Sequence, residues 1–320
     1  MTVRVFIDGE AGTTGLQIRE RLAPRGDIEL IQLDEAVRKD ARARADALNA
    51  ADAVILCLPD GAAKEAVRLI ENPDVRVIDA STAHRIADGW TYGLPELDAD
   101  QRKAVANSKR VSNPGCYSTG AISLIRPLIQ DGLLPTDWPV TINAVSGYSG
   151  GGKSLIASFE DEGSNDYTVD PYRIYALSLA HKHVPEIQVH SGLAHRPLFA
   201  PSVGRFYQGM LVEVPLQLWA MPSKVGVRDV YKSLARTYKG SRYVTVATMD
   251  VSEGLVKLDP EGLNHTNEMK LFVFGNEGEK QVRLVALLDN LGKGASGAAV
   301  QNLNLMFGLD ESAGLQSAAA

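Results

Sequence analysis

Cysteine is scarce in this chain of 320 residues, which contains only Cys57 and Cys116. The two residues lie far apart and match no C-x-x-C spacing. Disulfide scaffolds and zinc modules use more cysteines at closer spacing. The sequence therefore argues against both classes and predicts a protein of a reducing compartment.

Long hydrophobic runs are also missing. The longest purely apolar stretch, Ala53–Leu58, has the length of a strand, whereas a membrane-spanning helix needs about 20 apolar residues. Near the N-terminus, Arg4 and Asp8 interrupt the apolar run before the core of a signal peptide could form. We therefore expect a cytoplasmic protein.

An excess of positive charge is absent as well. Lys and Arg number 33 against 39 Asp and Glu, which gives a formal net charge of −6. This acidic balance argues against nucleic acid or an anionic membrane as the main partner. Apolar residues at 45% and charged residues at 22% are typical of a globular protein with a buried core.

Apolar runs alternate with amphipathic helical patterns at the start of the chain. The predicted strands are Val3–Ile7, Ile28–Leu33, Ala53–Leu58 and Val75–Ile78, and the predicted helices between them are Thr14–Leu22, Ala41–Ala51 and Ala62–Ile70. Buried runs separated by helices are typical of a parallel sheet covered on both faces. Because such crossovers are right-handed, the pattern predicts an α/β fold with a doubly wound Rossmann domain.

The pattern changes after residue 116. The predicted strands are now Val140–Val145, Met210–Leu218, Arg242–Ala247, Lys270–Gly275 and Val282–Leu288, and the predicted helices are Thr119–Ile129, Arg228–Tyr238 and Ala295–Phe307. This mixture predicts a second domain of the α+β class.

A glycine loop, Gly9–Gly15, lies between the first predicted strand and the first predicted helix. Glycines at this place let backbone amides approach a pyrophosphate, and the helix dipole attracts its charge. The pattern is GxxGxxG rather than GxGxxG, because position 11 is alanine. We predict a dinucleotide site here, and the alternative is a tight glycine turn without a ligand.

The end of the second predicted strand bears on the choice of cofactor. Asp34 lies where an acid would bind the ribose 2′-hydroxyl of NAD. Arg38 and Lys39 follow closely, and cations there would hold the additional phosphate of NADP. From these residues alone the choice stays open.

The stretch Asn113–Thr119, with the sequence NPGCYST, carries the most information about chemistry. Its Pro-Gly turn delivers Cys116 to the start of a predicted helix. At a helix N-terminus the pKa of a thiol can fall to ~3.5–7.5, which produces a nucleophilic thiolate. The alternative is a buried structural cysteine. Cys57 is expected to be of that kind, inside an apolar strand and inert.

His181 and His183 are followed by Val-Pro-Glu-Ile, which predicts a helix with Glu186 in its first turn. A thiolate enzyme needs a base that takes the thiol proton and later returns it. The alternative is a pair of ordinary polar contacts. No third ligand follows at metal-binding spacing, so we expect no metal site.

Gly147–Ser154, with the sequence GYSGGGKS, matches the P-loop pattern GxxxxGK[ST] and follows a predicted strand. The strand Leu284–Leu288, which ends before Asp289, is similar to the metal-binding strand of a nucleotide hydrolase. P-loops usually open the first βα unit, where this chain already has its loop at Gly9. The other interpretation is a loop that binds a substrate phosphate through backbone amides and Lys153.

Together these motifs resemble the N-acetyl-γ-glutamyl-phosphate reductases, in their shorter form, and more distantly the aspartate-semialdehyde dehydrogenases. The resemblance rests on SNPGCYSTG (112–120), SGYSGGGKS (146–154), HKHVPEI (181–187) and DNLGKGASGAAVQNLNLM (289–306), and it extends from the first glycine loop to the last predicted helix. One departure is Phe199–Ser202, FAPS, where longer members carry FTPHL with a histidine. This departure fits the short form.

The resemblance implies an NADPH-dependent oxidoreductase that reduces an acyl phosphate to an aldehyde with loss of phosphate, a step of arginine biosynthesis. It implies that residues 1–115 with 291–320 form the dinucleotide-binding domain. Residues 116–290 would then form the domain for catalysis, substrate binding and oligomerisation. The expected assembly is a dimer or tetramer.

The site residues expected from the motifs and the resemblance fall into three sets. The catalytic set is Cys116, His181 and His183, with a thioester on Cys116, with His181 as the acid and base and with His183 orienting the substrate or its partner. The NADP contacts are Gly9, Gly12, Thr13, Thr14, Gly15, Arg38, Ser81, Asn290 and Gly292. The substrate contacts are Ser149, Gly150, Lys153 and Glu186.

Three classes of function remain in competition at this point. The first is the acyl phosphate reductase, with an acetylated glutamyl, an aspartyl or an aminoadipyl phosphate as substrate. The second is a P-loop kinase or ATPase that depends on Lys153 and Asp289. The third is a regulatory protein that binds the cofactor without catalysis.

Overall fold

The computed structural model describes residues 2–38, 40–222 and 224–317. The strands are β1 Val3–Asp8, β2 Ile28–Ile31, β3 Ala53–Leu56, β4 Arg76–Asp79, β5 Thr91–Tyr92, β6 Arg110–Ser112, β7 Thr141–Gly147, β8 Tyr172–Ile174, β9 Leu198–Gly204, β10 Met210–Gln217, β11 Val244–Val246, β12 Met269–Asn276 and β13 Gln281–Leu288. The helices are α1 Thr13–Leu22, α2 Ala41–Ala50, α3 Asp60–Leu69, α4 Gln101–Asn107, α5 Cys116–Gln130, α6 Gly152–Glu160, α7 Val184–Ser191, α8 Val227–Thr237, α9 Met249–Gly254 and α10 Gly297–Met306.

The described residues form two compact units. Unit 1 runs up to Pro95 and adds Ala99–Gly115 and Ala295–Gln316. Unit 2 comprises Glu96–Asp98, Cys116–Gly294 and Ser317.

In the described part of the chain no helix is long and apolar enough to span a membrane.

Unit 1 is built on a parallel sheet with the strand order β2-β1-β3-β4-β6-β5. Apolar residues of α1, α4 and α10 pack on one face of the sheet, and those of α2 and α3 pack on the other. Because both faces are covered, β3 is buried at every residue and is a continuous apolar run in the sequence. The doubly wound Rossmann class predicted from the sequence is confirmed.

Unit 2 contains a mixed sheet with the order β11-β12-β13-β10-β7-β9-β8. Helices α5, α7 and α8 cover one face, where residues such as Val212, Val214 and Leu271 form a large apolar core with them. Gly120 of α5 lies against Val212, and a Cβ added at Gly120 would lie 2.9 Å from a methyl of that valine. The second domain is therefore α+β, as predicted.

Several predicted boundaries were wrong by a few residues. The strand predicted over Ala53–Leu58 ends at Leu56, so Cys57 lies just beyond β3 rather than inside it. Its backbone N–H donates to Asp8 at the end of β1. Burial raises the pKa of the Cys57 thiol to about 12, which keeps it protonated as expected for an inert residue. The last helix begins at Gly297 after one π-helical turn over Gly292–Ser296.

Candidate active site

The glycine loop of unit 1 fits the phosphates of a dinucleotide. Gly9 has a φ of +90°, and a Cβ there would lie 2.4 Å from the carbonyl oxygen of Cys57. A Cβ at Gly15 would lie 2.6 Å from the carbonyl oxygen of Gly9. These two glycines let the loop fold tightly over the end of β1, as a phosphate-binding turn requires.

Gly12 is the N-cap of α1 and caps it without a side-chain hydrogen bond. A Cβ at Gly12 would meet nothing closer than the carbonyl oxygen of Gly9, at 3.4 Å. The space over the start of α1, where Thr13 and Thr14 begin the helix, is therefore open. Helix N-terminal amides beside open space suit an anionic group.

Ser81 follows β4 at the same carboxyl edge of the parallel sheet. Its backbone N–H donates to Asp79 Oδ1 at 2.9 Å, and its hydroxyl donates to Asp79 Oδ2 at 2.8 Å. Asp79 is fully buried, and its Oδ2 also lies 2.6 Å from His84 Nδ1. Asp79 and His84 were not identified from the sequence, because neither belongs to a recognisable motif. Their contact exists only once the chain has folded.

The loop after β2 is exposed. Asp34 lies three residues beyond the last residue of β2, Ile31, and its side chain is in solvent. Arg38 Nη2 forms an ion pair with Glu35 Oε1 at 3.0 Å, and both side chains are largely exposed. Lys39 lies outside the described residues.

Asp8 and Arg44 form an ion pair beside the glycine loop that sequence reasoning also missed. Arg44 Nη2 on α2 donates to Asp8 Oδ2 at 2.8 Å. The hydrogen bond to Asp8 raises the pKa of Arg44, which keeps the guanidinium charged. The partners are 36 residues apart, so spacing carried no signal.

Cys116 is the first residue of α5 in unit 2, and it is partly exposed. The predicted position at a helix start is thus confirmed, although the helix begins three residues earlier than Thr119. Gly294 lies directly against Cys116, because a Cβ added at Gly294 would be 2.8 Å from the Cys116 Cβ. Only a residue without a side chain fits there.

The two histidines lie beside Tyr117, which follows the cysteine in α5. The ring centroids of His181 and His183 each lie 5.9 Å from that of Tyr117 and 4.7 Å from each other. The backbone N–H of His183 donates to Nδ1 of His181 at 3.1 Å. That bond places the proton of a neutral His181 on Nε2. His183 is 5% exposed, whereas His181 is partly exposed.

Two phenols lie in the same region. Tyr175 Oη donates to Tyr117 Oη at 3.1 Å, and Tyr117 Oη donates to the carbonyl oxygen of Ser202 at 3.2 Å. Burial raises the pKa of both phenols far above their ordinary value, and the negative charge of an ionised Cys116 raises both pKa values further. Both phenols are therefore neutral and lie within electrostatic reach of the thiol.

Glu186 in α7 is buried, with 2% of its surface exposed. The hydroxyl of Ser118 donates to Glu186 Oε2 at 2.8 Å. This contact joins the first turn of α5 to the first turn of α7. The structure thus places the two histidines beside Tyr117 and Glu186 beside Ser118, the two residues that follow Cys116 in α5. Among the described residues, no group of three or more His, Cys, Asp or Glu side chains is placed to hold a metal ion.

The second glycine loop does not have the free amides of a P-loop over its first half. The amides of Gly147, Tyr148 and Ser149 donate to the carbonyl oxygens of Gly209, Phe206 and Tyr207 at 2.9, 3.0 and 3.0 Å. The strand before the loop, β7, lies antiparallel to β10 and parallel to β9, so it belongs to a mixed sheet rather than to the parallel sheet of a P-loop protein.

Asp289 also does not fit the role of a metal ligand. It is fully buried, and its carboxylate accepts hydrogen bonds from the amides of His265 and Leu291, at 2.7 and 2.8 Å, and from the Gln208 side chain. Protein donors thus occupy the oxygens that a nucleotide-bound metal would need. The kinase hypothesis is not supported.

Asn290, expected among the cofactor contacts, lies beside residues expected among the substrate contacts. Its Nδ2 donates to Ser149 Oγ at 3.0 Å, and its Oδ1 accepts from the amide of Gly209 at 2.7 Å. A Cβ added at Gly150 would be 3.3 Å from the same Nδ2. Lys153 lies in the first turn of α6 with an exposed side chain. Gly292 is tightly enclosed, since a Cβ there would collide with the carbonyl oxygen of Thr266.

Residues 4–105 match the family described as semialdehyde dehydrogenase, NAD binding domain, and residues 116–290 match semialdehyde dehydrogenase, dimerisation domain. The chain is 53% identical to N-acetyl-gamma-glutamyl-phosphate reductase 2 of Nostoc sp., over 98% of this chain and 99% of that protein. It is 55% identical to N-acetyl-gamma-glutamyl-phosphate reductase of Brucella ovis, over 96% of this chain and 100% of that protein.

Two solved structures share the fold at low identity. Aspartate semialdehyde dehydrogenase II complexed with ASA, from Vibrio cholerae, matches with a TM-score of 0.70 and 13% identity, over 96% of this chain and 98% of that chain. Aspartate semialdehyde dehydrogenase with NADP, from Candida albicans, matches with a TM-score of 0.64 and 12% identity, over 96% and 99% of the two chains. The resemblance inferred from the motifs is confirmed.

Proposed function

The chain belongs to the semialdehyde dehydrogenase family, within it to the N-acetyl-γ-glutamyl-phosphate reductases, and on that basis we propose its reaction. It reduces N-acetyl-γ-glutamyl phosphate to N-acetylglutamate 5-semialdehyde with NADPH and releases phosphate, a step of arginine biosynthesis. The observation that carries the proposal is Cys116 at the first position of α5, directly before Tyr117, whose ring lies 5.9 Å from the rings of His181 and His183. A biosynthetic role of this kind favours the cytoplasm.

Cys116 supplies the nucleophile. The positive end of the α5 dipole favours the thiolate over the thiol. The thiolate sulfur attacks the acyl carbonyl carbon, a carbon–sulfur bond forms, and the carbon–oxygen bond to phosphate breaks. Phosphate leaves with the electron pair, and the acyl group remains as a thioester on Cys116.

His181 carries the proton. Its Nδ1 accepts a hydrogen bond from the backbone N–H of His183, so the proton of the neutral ring is on Nε2. To act as a base, the ring gives up the hydrogen bond from His183 and carries its proton on Nδ1 instead, so that Nε2 takes the proton of the Cys116 thiol and later returns it to the group that develops negative charge. His183 is almost fully buried. Its ring centroid lies 4.7 Å from that of His181, and His183 holds the His181 ring in place.

NADPH is held by unit 1 according to the proposal. Gly9, Gly12 and Gly15, with Thr13 and Thr14, provide the pyrophosphate turn. Arg38, together with Lys39, provides cations for the 2′-phosphate, and Ser81 contributes towards the nicotinamide. When bound, the cofactor supplies the hydride that converts the thioester into the aldehyde.

The substrate is held by unit 2 according to the proposal. Ser149 and Gly150 line its place beside Asn290. Lys153 is exposed at the start of α6, where its ammonium group offsets the charge of the phosphoryl group. Glu186 fixes the first turn of α5 through Ser118 and orients the residues that contact the substrate.

The reverse reaction tests the proposal most simply. The protein is incubated with NADP, phosphate and N-acetylglutamate 5-semialdehyde, and the absorbance of the reduced nicotinamide is followed. We expect turnover that requires phosphate. The semialdehydes of aspartate and aminoadipate serve as competing substrates, and a higher kcat/KM with either would replace the substrate assignment. NADP binding without turnover would support a regulatory protein instead.

Exchange of the histidines tests the proton carrier. We expect His181→Asn to lower kcat by about 10²–10⁴-fold with little change in KM, because an acid–base group acts in the transition state. His183→Asn should lower kcat less. Both variants are measured across a pH series, and the limb that reports the imidazole should vanish only in His181→Asn. If His183→Asn does the greater damage to kcat, the two roles are exchanged.

We also propose that unit 2 forms a homodimer through the sheet face opposite α5 and α8. That face holds a groove of about 370 Å³ whose apolar residues include Leu211, Phe274 and Val285. The segment Leu255–Leu258 borders the groove, and Val256 is 98% exposed. An apolar side chain this exposed fits a surface that a second copy covers.

Charge placed on this face is expected to separate the dimer. Val256→Asp should shift the protein towards the monomer, measured by sedimentation velocity over a concentration series, because the carboxylate would lose its water in the interface. Leu177→Asp is the matched control, since Leu177 is also apolar and 74% exposed but follows the edge strand β8. A shift in the control alone would place the interface elsewhere.

A further inference from the structure

A buried ion pair in unit 2 has no part in the chemistry described so far. Lys293 is completely buried, and its Nζ lies 2.8 Å from both carboxylate oxygens of Glu96. The Glu96 side chain is 8% exposed. The ammonium group also lies 5.7 Å from the ring centroid of Tyr243, which is buried as well.

A pair of this kind is not explained by stability alone. Both charges lose their hydration, and apolar residues of similar volume often give equal or greater stability at such positions. Loss of one partner, in contrast, leaves the other charge buried without its ion-pair partner and lowers stability. Buried pairs of this type can instead hold a segment in one arrangement, because any displaced arrangement breaks the pair.

The segment that Lys293 holds forms one wall of the cysteine site. Gly294, the next residue, lies so close to Cys116 that an added Cβ would be 2.8 Å from the cysteine Cβ. The amide of Gly294 donates to the carbonyl oxygen of Asp289 at 2.9 Å, which closes the loop.

The other end of the same loop contacts the glycine loop before α6. Asn290 donates to Ser149 Oγ at 3.0 Å. Lys293 therefore lies between a residue beside the thiol and a residue beside the expected substrate contacts. A movement of Lys293 would change both ends of the loop together.

We propose that Glu96 and Lys293 are positioning residues for Cys116. Their ion pair holds the Asn290–Gly294 loop against the cysteine and limits the thiol to the orientation from which it attacks. The proposal rests on the role of Cys116 as nucleophile. A displacement of about 1 Å at a reacting group can cost about a hundredfold in rate, so the pair acts on kcat rather than on KM.

The test compares Lys293→Met, Glu96→Gln and the double variant that carries both changes. Either single change removes the ion-pair partner of one buried charge and is expected to lower Tm. The double variant removes both charges and should recover most of the Tm. Its kcat should nevertheless stay about 10- to 100-fold below that of the unchanged protein, with KM within about twofold. Recovery of kcat together with Tm would show a merely structural pair and would overturn the proposal.

Asp98→Asn is the matched control. Asp98 is two residues from Glu96 and forms an ion pair with Arg126 at 3.0 Å, towards the far end of α5 from Cys116. We expect this variant to keep the kcat of the unchanged protein even if its Tm falls. A loss of kcat equal to that of the double variant would show that any nearby ion pair has the same effect, which contradicts a specific role for Lys293.

A second measurement does not depend on the identity of the substrate. Iodoacetamide should alkylate Cys116 faster in the double variant, because the loop is no longer held against the cysteine, and mass spectrometry reports the site. Cys57 is the internal control, since it is partly buried and burial raises the pKa of its thiol to about 12, which keeps it protonated and slow to react. An unchanged rate of Cys116 alkylation in the double variant would contradict the proposal. If the unchanged protein has no reductase activity, the proposed function is refuted. The comparison of Cys116 alkylation rates would then decide whether the Glu96–Lys293 pair positions the cysteine.

Discussion

Replacement of Cys116 by Ala is expected to abolish turnover, with kcat at least about 10⁴-fold lower, because removal of a covalent nucleophile has effects of this size or larger. No thioester can form without the sulfur. NADPH affinity should be nearly unchanged, because the glycine loop belongs to unit 1 and Cys116 belongs to unit 2. Stopped-flow absorbance gives kcat, and fluorescence titration gives the cofactor affinity.

The thioester itself can be observed. Incubation of the unchanged protein with acyl phosphate, without NADPH, should add the mass of one acyl group to the peptide that contains Cys116. Cys116→Ala should show no added mass. Cys57→Ser is the control, because the Cys57 thiol is protonated and partly buried, and we expect lower stability but retained kcat. Substantial activity in Cys116→Ala would disprove the covalent mechanism.

Much of unit 1 could be predicted from the sequence because its strands are buried on both faces. Such strands are short apolar runs whose helices lie between them, and β1, β3 and β4 were recognised this way. The ends were less well predicted. The apolar residues Cys57 and Leu58 continue the run of β3, but Gly9 packs against the backbone of Cys57 and the chain turns there.

Strand β9 shows why part of unit 2 was missed. It contains Pro201, which lacks an N–H and usually marks an edge or a loop rather than an inner strand. In the structure β9 nevertheless lies between β7 and β8. Pro201 accepts a hydrogen bond through its carbonyl oxygen from the amide of Tyr175. Only the tertiary arrangement shows that the missing donor is tolerated.

The misleading match of Gly147–Ser154 to the P-loop pattern has a similar explanation. The pattern Gly147–Ser154 is local, but the carbonyl groups that occupy its first amides come from residues 206–209. The burial of Lys293 was also not predicted, because its partner Glu96 is 197 residues away in the chain. The positions of Cys116 at a helix start and of His183 just before one could be predicted, because adjacent residues encode the turns and helix starts that present them.

Replacement of Gly12 by Asp should affect binding and stability in opposite directions. Gly12 has φ −76° and ψ 165°, which any residue adopts, and an added Cβ has room. As the N-cap of α1, the new carboxylate would accept hydrogen bonds from the first helical amides and stabilise the fold by about 0.3–1 kcal/mol. The same amides would then be lost to the pyrophosphate. Loss of two charge-assisted hydrogen bonds, at about 1.5–3 kcal/mol each, weakens NADPH binding by about 10²–10⁴-fold.

Calorimetric titration with NADPH and thermal unfolding check the two effects on the same sample. Gly26→Asp is the matched control, because it adds the same charge beyond the C-terminal end of α1 and away from its start. Gly26 lies in unit 1, and no atom lies within 4 Å of a Cβ added there. That variant should bind NADPH as the unchanged protein does. A Gly12→Asp protein that retains full NADPH affinity would show that the start of α1 does not hold the pyrophosphate. A fall in Tm together with lost binding would mean that the substitution damages the fold, because a carboxylate at this N-cap should stabilise α1.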